Sequence, residues 1–592
     1  MPAHRFLGLV WDADDAERAP HLRERARRLT EVLTRHPTAL SAVHSELGML
    51  FFTTPSVAGR FGTTTLATGG LVVGRVFARG AAAPESIATS DSKGSVLASA
   101  LWGRYVALVR GQEKKWYVLR DPSGALPCFV ARSGEFLCVF SDLRDFLAIH
   151  DARLSVNWAH LGAFLHRGEM MCASTGYEEI SQLLPGQRMR LDASMFTDFY
   201  WSPRQFCTTG VIENHDDAEV LLRESVLTSV KAWGSCYRNI LLELSGGLDS
   251  AIVLACLAEL RPDVDTVAVN HYTVTSEGDE RRYAREVARR QGCELVEIGA
   301  PPAQKSFRQI IQAEHLASPC FAIPRMQLED LQAAFIHENG LEASFSGRGG
   351  DQLFYQVVDA RTAVEFARRH PLSPQLWTVA MDVAFAARVP VWSVLAEVVR
   401  DVVWKRRRDP YAFIERPPFL RESGRAFEHL RHPWLQDDDD LPESKRQQAC
   451  DIIDCQAFYR GSCSYVERVE PLISQPIFEA SLRIPTYRLS HDGISRALIR
   501  KCFESRLPRT IFHRTTKGAT TGYHRDLLLA DLPYIRELTV GGRLVEEGLV
   551  DKACVEALVT EERLMRDYTW MPLLGLITAE TWLRHAHSRR SP

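Results

Sequence analysis

The chain is poor in the signals that would place a protein outside the cell or across a membrane. Its 592 residues include thirteen cysteines. None forms a CxxC pair, and Cys450, Cys455 and Cys463 fit no zinc spacing. Reduced, buried thiols are therefore expected, not a disulfide or metal scaffold. The nineteen histidines form no HExxH or His-rich tract. The stretch "MPAHRFLGLVWDADDAERAP" lacks an apolar core after a basic start, so no signal peptide is expected. No apolar run reaches the roughly 18 residues that a membrane span requires. Charge of one sign is lacking too: the formal net charge is -3, which gives no bulk attraction to nucleic acid. A cytoplasmic protein with neither nucleic acid nor membrane as partner is expected. The Walker pattern GxxxxGK[ST] is also absent, which removes that way of holding a phosphate.

What is present is a soluble globular balance, 45% hydrophobic and 24% charged residues, over a length that suggests two large domains. The first 200 residues alternate apolar and polar positions in short runs, such as Gly70–Gly80, Arg104–Gly111, Lys115–Gly124 and Glu135–Asp142. Gly, Pro, Asp and Ser separate the runs, so these read as strands. A boundary is expected near Pro203–Gly210, dividing the chain into 1–205 and 206–592. Beyond it, helical spacing over Asp217–Gly234 precedes a strand at Asn239–Leu244 and a helix from about Asp249. Further strand–helix alternation predicts a parallel, doubly wound sheet. From about Ala360 to Ser588 the chain reads as mostly helical. The charge runs "WKRRRDP" (404–410) and "QDDDDLP" (436–442) read as solvated ends, or as docking sites for a charged partner.

The most informative stretch is "ELSGGLDSAIV". An apolar strand stops at Ser245-Gly246-Gly247, and a helix starts after Leu248-Asp249-Ser250. One reading is a tight turn. The other is an anion site: glycines admit a ligand close to the backbone, and the helix start offers free N–H groups and its positive dipole end. No lysine follows the glycines. Asp249 instead puts a carboxylate beside the anion, which makes sense if it holds a divalent cation bridging phosphates. A second strand-end loop, "SFSGRGGDQLF", repeats the pattern with Ser346, Gly347 and Asp351. The two carboxylates could share one magnesium–pyrophosphate group.

SGGLDS between strand and helix resembles the signature of the PP-loop ATP pyrophosphatases. With "GRYVALVRG", "WYVLRDPSGALPCFV" and "FSDLRDFLAI" in the first half, the chain resembles the asparagine synthetase B superfamily over nearly its whole length. The segment Arg496–Leu527 resembles that family's C-terminal region. The resemblance implies a glutaminase-like (Ntn-type) β-sandwich followed by an α/β synthetase domain with a helical C-terminal part, using ATP and Mg2+. It implies nucleotide contacts at Ser245, Gly246, Gly247, Leu248, Asp249, Ser250, Ser346, Gly347 and Asp351, with the metal on Asp249 and Asp351. It makes Lys517 a catalytic cation that also contacts the nucleotide, Arg348 a further catalytic candidate, and Glu467 a candidate base, a surface ion pair being the alternative for Glu467.

Two departures from the family pattern matter. Glutamine-dependent members use a cysteine at position 2, whereas this chain has Pro2 and no cysteine before Cys128. Arg348 stands where an acid usually helps to handle ammonia. Both point to an amine other than ammonia. "LLPGQRMRL…YWSP" and Val469–Pro485 resemble the lasso-peptide macrolactam cyclases. That resemblance implies an ATP-dependent isopeptide synthesis on a ribosomal precursor peptide, with a leader-binding protein and a leader peptidase as partners. The alternatives are a β-lactam synthetase-like reaction on a small β-amino acid, an ammonia-dependent asparagine synthetase, and an inactive scaffold.

Overall fold

The computed structural model describes the chain except residues 1–3, 14–16, 36–39, 56–60, 81–82, 90–91, 273–278, 300–315, 322–325, 405–415, 422–423, 436–440, 458–465, 516–520, 567–569 and 589–592. Lys517 and both charge runs save their ends lie outside the described residues.

The alternating stretches of the first half form twelve strands in two antiparallel sheets. They are β1 (Phe6–Val10), β2 (Ser41–Glu46), β3 (Met49–Thr53), β4 (Gly62–Thr65), β5 (Gly70–Ala78), β6 (Leu101–Arg110), β7 (Trp116–Arg120), β8 (Phe129–Ser133), β9 (Phe136–Phe140), β10 (Ile180–Gln182), β11 (Gln187–Arg190) and β12 (Thr197–Phe199). One sheet has the order β10-β8-β9-β1-β3-β2 and the other β12-β11-β7-β6-β5-β4. Because side chains alternate along a strand, each sheet gives one apolar face to the other. Phe6, Phe51 and Val139 from the first sheet pack with Val73, Leu108 and Val118 from the second.

The second half is built on a five-stranded sheet of order β15-β14-β13-β16-β17. Its strands are β13 (Asn239–Glu243), β14 (Asp265–Tyr272), β15 (Glu294–Gly299), β16 (Ala343–Phe345) and β17 (Arg468–Val469). Every pairing is parallel, as the strand–helix alternation predicts. A helix, α1 (His215–Gly234), precedes the sheet; its N-cap Asn214 accepts from the N–H groups of Asp216 and Asp217. α2 (Leu248–Leu257) follows β13 and is buried along its whole length, which matches a sequence apolar on all sides.

The strand order fixes the place of the site. From β13 the chain builds outward through β14 and β15, then returns to add β16 and β17 on the other side. The reversal lies between β13 and β16, and the crevice at such a switch point, outside the carboxyl ends of the strands, is where ligands bind in this architecture. The two Gly-rich loops follow these two strands.

The two halves share a core. Trp102 and Trp201 from the antiparallel half belong to one buried cluster with Trp233, Phe345 and Phe478. Arg79 meets Glu479, on α3 (Gln475–Arg483), through two hydrogen bonds of 2.7 and 3.0 Å. The indole N–H of Trp201 donates to the same carboxylate at 3.0 Å.

Candidate nucleotide site

The first loop leaves β13 at Leu244, whose carbonyl accepts from the Asn270 amide at 2.7 Å. Gly246 takes a left-handed φ of 76°. A side chain there would also stand 2.9 Å from Tyr283 Cβ, so glycine is required twice over. Gly247 caps α2 in extended conformation, and its N–H donates to Ser245 Oγ at 3.3 Å. Ser245 and Ser250 hydroxyls lie 3.3 Å apart. Ser245 is exposed, whereas Asp249 and Ser250 are buried.

The second loop lies directly against the first. A Cβ on Gly347 would meet Ser250 N at 2.3 Å, and one on Gly350 would meet Asp249 Oδ1 at 2.2 Å. Gly347 thus lets the second loop lie against the backbone of the first, and Gly350 leaves room for the Asp249 side chain. Contact brings Asp249 and Asp351 to one cation: Arg496 Nη1 lies 3.1 Å from Asp249 Oδ2 and 2.5 Å from Asp351 Oδ1. Of the expected residues, the structure therefore gathers Ser245, Gly246, Gly247, Leu248, Asp249, Ser250, Ser346, Gly347 and Asp351 at one crevice. Ser346 Oγ donates to the buried Glu470, and the Arg348 N–H donates to Ser346 Oγ at 3.1 Å. Arg348 is thus at the loop. Its charge pulls against the burial that raises the Cys455 thiol.

Two carboxylates within reach of one cation fit magnesium, which uses one or two carboxylates and completes its shell with phosphate oxygens and water. Asp249 and Asp351 would hold it. Among the described residues no group of three or more His, Cys, Asp or Glu converges, so the pair is suited to a metal that arrives with phosphates.

Glu467 corrects an expectation. It lies at the start of β17, where its backbone carbonyl accepts from Ser344 N, and its side chain turns to the antiparallel half. It pairs with His4 at 3.0 Å and with Arg104, and Tyr237 donates to it at 3.3 Å. Burial raises its carboxyl, but Arg104 and His4 outweigh this and hold it at about 2. A carboxylate so acidic and so engaged is no base at neutral pH. It is an ion pair between the two halves, and a buried one.

Three residues at the site were not singled out from the sequence. Arg496 bridges the carboxylates from a left-handed backbone, φ 60°, a strain typical of functional positions. Its N–H donates to Ser490 Oγ at 2.9 Å, and Ser490 Oγ donates to Tyr355 O at 2.8 Å. Arg514 donates to Gly246 O at 2.9 Å, pairs with Glu280 and stacks 3.9 Å above the Tyr283 ring. Glu470 is the third. No spacing in the sequence separates these from the chain's other arginines and glutamates. Arg500 donates to Ile511, Phe512 and Arg514 carbonyls at 3.0, 2.6 and 2.7 Å. Burial, aided by Arg496, lowers its guanidinium to about 10. It anchors the chain beside the loop up to Arg514, three residues before Lys517.

Cys128, the first cysteine of the chain, is fully buried and its thiol is pushed up to about 12 by that burial. It is no nucleophile.

Comparison with solved structures finds a U34-tRNA thiolase NcsA from Methanococcus maripaludis with its [4Fe-4S] cluster, 14% identical, covering 41% of this chain and 80% of that one, with a TM-score of 0.19. It also finds the allosteric regulatory enzyme of purine biosynthesis, 12% identical, covering 51% of this chain and 76% of that one, with a TM-score of 0.18. Scores this low decide nothing. No curated protein matches the sequence. The asparagine synthase family model does match, over residues 221–584, a range that holds both Gly-rich loops and Arg496. The chain belongs to the asparagine synthase family and is an ATP-dependent, amide-bond-forming enzyme.

Proposed function

We propose that the enzyme closes a macrolactam in a ribosomal peptide, as the lasso-peptide cyclases do. The observation that supports this most is the meeting of the two Gly-rich loops, with Asp249 and Asp351 at one crevice, in a chain whose antiparallel half offers, among its described residues, only buried cysteines. Ammonia released from glutamine is then not the amine; between free ammonia and an amine carried by the substrate, Arg348 at the second loop favours the latter.

ATP lies with its phosphates at the Ser245–Ser250 and Ser346–Asp351 loops. Magnesium held by Asp249 and Asp351 neutralises phosphate charge when bound. An Asp or Glu side-chain carboxylate of the core peptide attacks the α-phosphorus. The bond to the bridging oxygen breaks, and pyrophosphate leaves. The peptide's N-terminal amine, freed by a leader peptidase, attacks the acyl carbon; AMP leaves and the amine loses a proton. Arg496, at the two carboxylates, is a cation that can offset the charge built up in both steps, the role that the family resemblance implies for Lys517. Bringing amine and acyl carbon together within one folded peptide is catalysis by positioning.

The test incubates the protein with a leader-free core peptide, ATP and Mg2+. The expected product is lighter by one water, with AMP and pyrophosphate formed in equal amounts. Formation of ADP, or a product made without ATP, overturns the reading. Turnover of a small β-amino acid with no peptide substrate would favour the β-lactam synthetase-like reaction.

A further inference from the structure

The two glycines of the first loop leave its conformation undetermined. Gly246 has a φ of 76° and Gly247 a φ of -83°. Turning over the peptide plane between them changes only the ψ of Gly246 and the φ of Gly247. It would carry Gly247 to positive φ, which glycine alone enters freely. The sterics of the loop therefore do not choose between the two orientations. The choice matters, because the C=O and N–H of a trans peptide point in opposite directions. One orientation turns the Gly247 N–H to the crevice. The other turns the Gly246 carbonyl there, and a carbonyl oxygen repels phosphate.

A residue from outside the loop makes the choice. Arg514 Nη1 donates to Gly246 O at 2.9 Å, across 268 positions of sequence. Three further contacts fix the arginine itself. Its Nη2 pairs with Glu280, its guanidinium stacks 3.9 Å from the centre of the Tyr283 ring, and its own carbonyl accepts from Arg500 at 2.7 Å. With the Gly246 carbonyl drawn to this side, the Gly247 N–H faces the other. There it meets Ser245 Oγ at 3.3 Å, and Ser245 Oγ lies 3.3 Å from Ser250 Oγ. Gly246 is buried, whereas Ser245 is exposed and Gly247 partly so. One N–H and two hydroxyls thus stand together, with the guanidinium behind them. At 3.3 Å the N–H is weakly engaged and free to turn to an anion.

We infer that Arg514 is a positioning residue for adenylation: it fixes the Gly246–Gly247 peptide so that the Gly247 N–H meets the phosphates of ATP. The inference rests on the placing of the phosphates at this loop. Arg514 acts through the carbonyl and does not itself touch the nucleotide.

The test is calorimetric binding of magnesium–ATP, magnesium–pyrophosphate and AMP by the full chain, which needs no acyl substrate. Arg514→Met is expected to weaken the first two about 30-fold, the worth of a hydrogen bond to a charged group, and to change AMP binding less than about two-fold. Damage to the fold would weaken all three alike. Arg514→Lys keeps a donor and a cation beside Glu280, so it should lose only about five-fold; it decides the matter if Arg514→Met does not fold. Glu280→Gln removes the ion pair but leaves the donor to Gly246 O, and should bind within about three-fold of the native chain. Gly247→Ala closes the turned-over orientation, because alanine avoids positive φ. In that background, whatever its own affinity, either Arg514 substitution should cost less than about three-fold.

The inference is overturned if Arg514→Met binds magnesium–pyrophosphate as the native chain does while Asp249→Asn loses it; the phosphate site then stands without Arg514. If neither variant loses it, or the native chain does not bind it, the phosphates do not lie at this loop, and the inference falls with that reading. Equal losses with Gly247 and with Ala at this position would mean that Arg514 touches the phosphates directly. Equal losses of pyrophosphate and AMP would leave it a merely structural residue. Either result overturns the inference.

Discussion

Asp249 and Asp351 come from loops about a hundred positions apart and meet at Arg496. Asp249→Asn or Asp351→Asn should lower ATP–pyrophosphate exchange about 100-fold or more in a protein that still folds, since Arg496 keeps the other carboxylate as its partner. Normal exchange in either variant would remove the role assigned to the pair. Glu467 makes the opposite prediction. Its folded carboxyl titrates at about 2, below its ordinary value of 4.5. A group lowered in this way contributes stability that is fully present above pH 4.5 and is lost as the pH falls through 2. The shift corresponds to about 3 kcal/mol at neutral pH. Glu467→Gln should therefore unfold more easily in urea at pH 7, and its stability should fall less steeply than the native chain's below pH 4.5. Per folded molecule it should form product at the native rate. A 100-fold loss of that rate would restore Glu467 as a catalytic base.

At the scale of elements, the glycines decide the geometry. The Cβ of an alanine at 350 would stand 2.2 Å from Asp249 Oδ1, whereas at Gly80 nothing lies within 4 Å. Gly350→Ala should cost about 1–3 kcal/mol by overpacking and push the loops apart, so exchange should collapse. Gly80→Ala should leave both melting and exchange as they are. Equal behaviour of the two variants would show that the loops do not need contact. The same scale explains what the sequence made legible. Period-two alternation marked β5, β6, β7 and β9, and the strand–Gly–helix pattern marked the first loop, because those signals are local. β17 spans two residues, too short for any period. Its value lies in bringing Glu470 beside Ser346, a contact 124 positions apart. Arg496 was hidden for a related reason: its reach to the carboxylates depends on a left-handed backbone that only the turn after Ser490 imposes. The outward apolar stripes of the helices Gln375–Ala387 and Val391–Trp404 were not legible, because periodicity does not say which face of a helix finds the core.

Across the whole molecule, the antiparallel half is joined closely to the half that holds the parallel sheet. The shared cluster around Trp102, Trp201 and Trp233 is buried, and the Glu479 carboxylate, 8% exposed, takes Arg79, Trp201 and Gln475 together. Interfaces between independent domains are smaller and more polar, and such domains melt separately. Here the hydrophobic cluster crosses the boundary, so neither half can open without exposing the other's core. Calorimetry should accordingly give one cooperative transition. Glu479→Ala strands Arg79 and the Trp201 N–H. Breaking one partner of a fully buried pair costs about 3–5 kcal/mol, and Arg79 is about a quarter exposed, which brings the expected cost to about 2–3 kcal/mol. The variant should melt a few degrees lower, with the sandwich separating from the parallel sheet as an early shoulder. Two resolved transitions in the native chain, or an unchanged profile in Glu479→Ala, would mean that the halves are merely tethered, and that the nucleotide crevice owes nothing to the sandwich beside it.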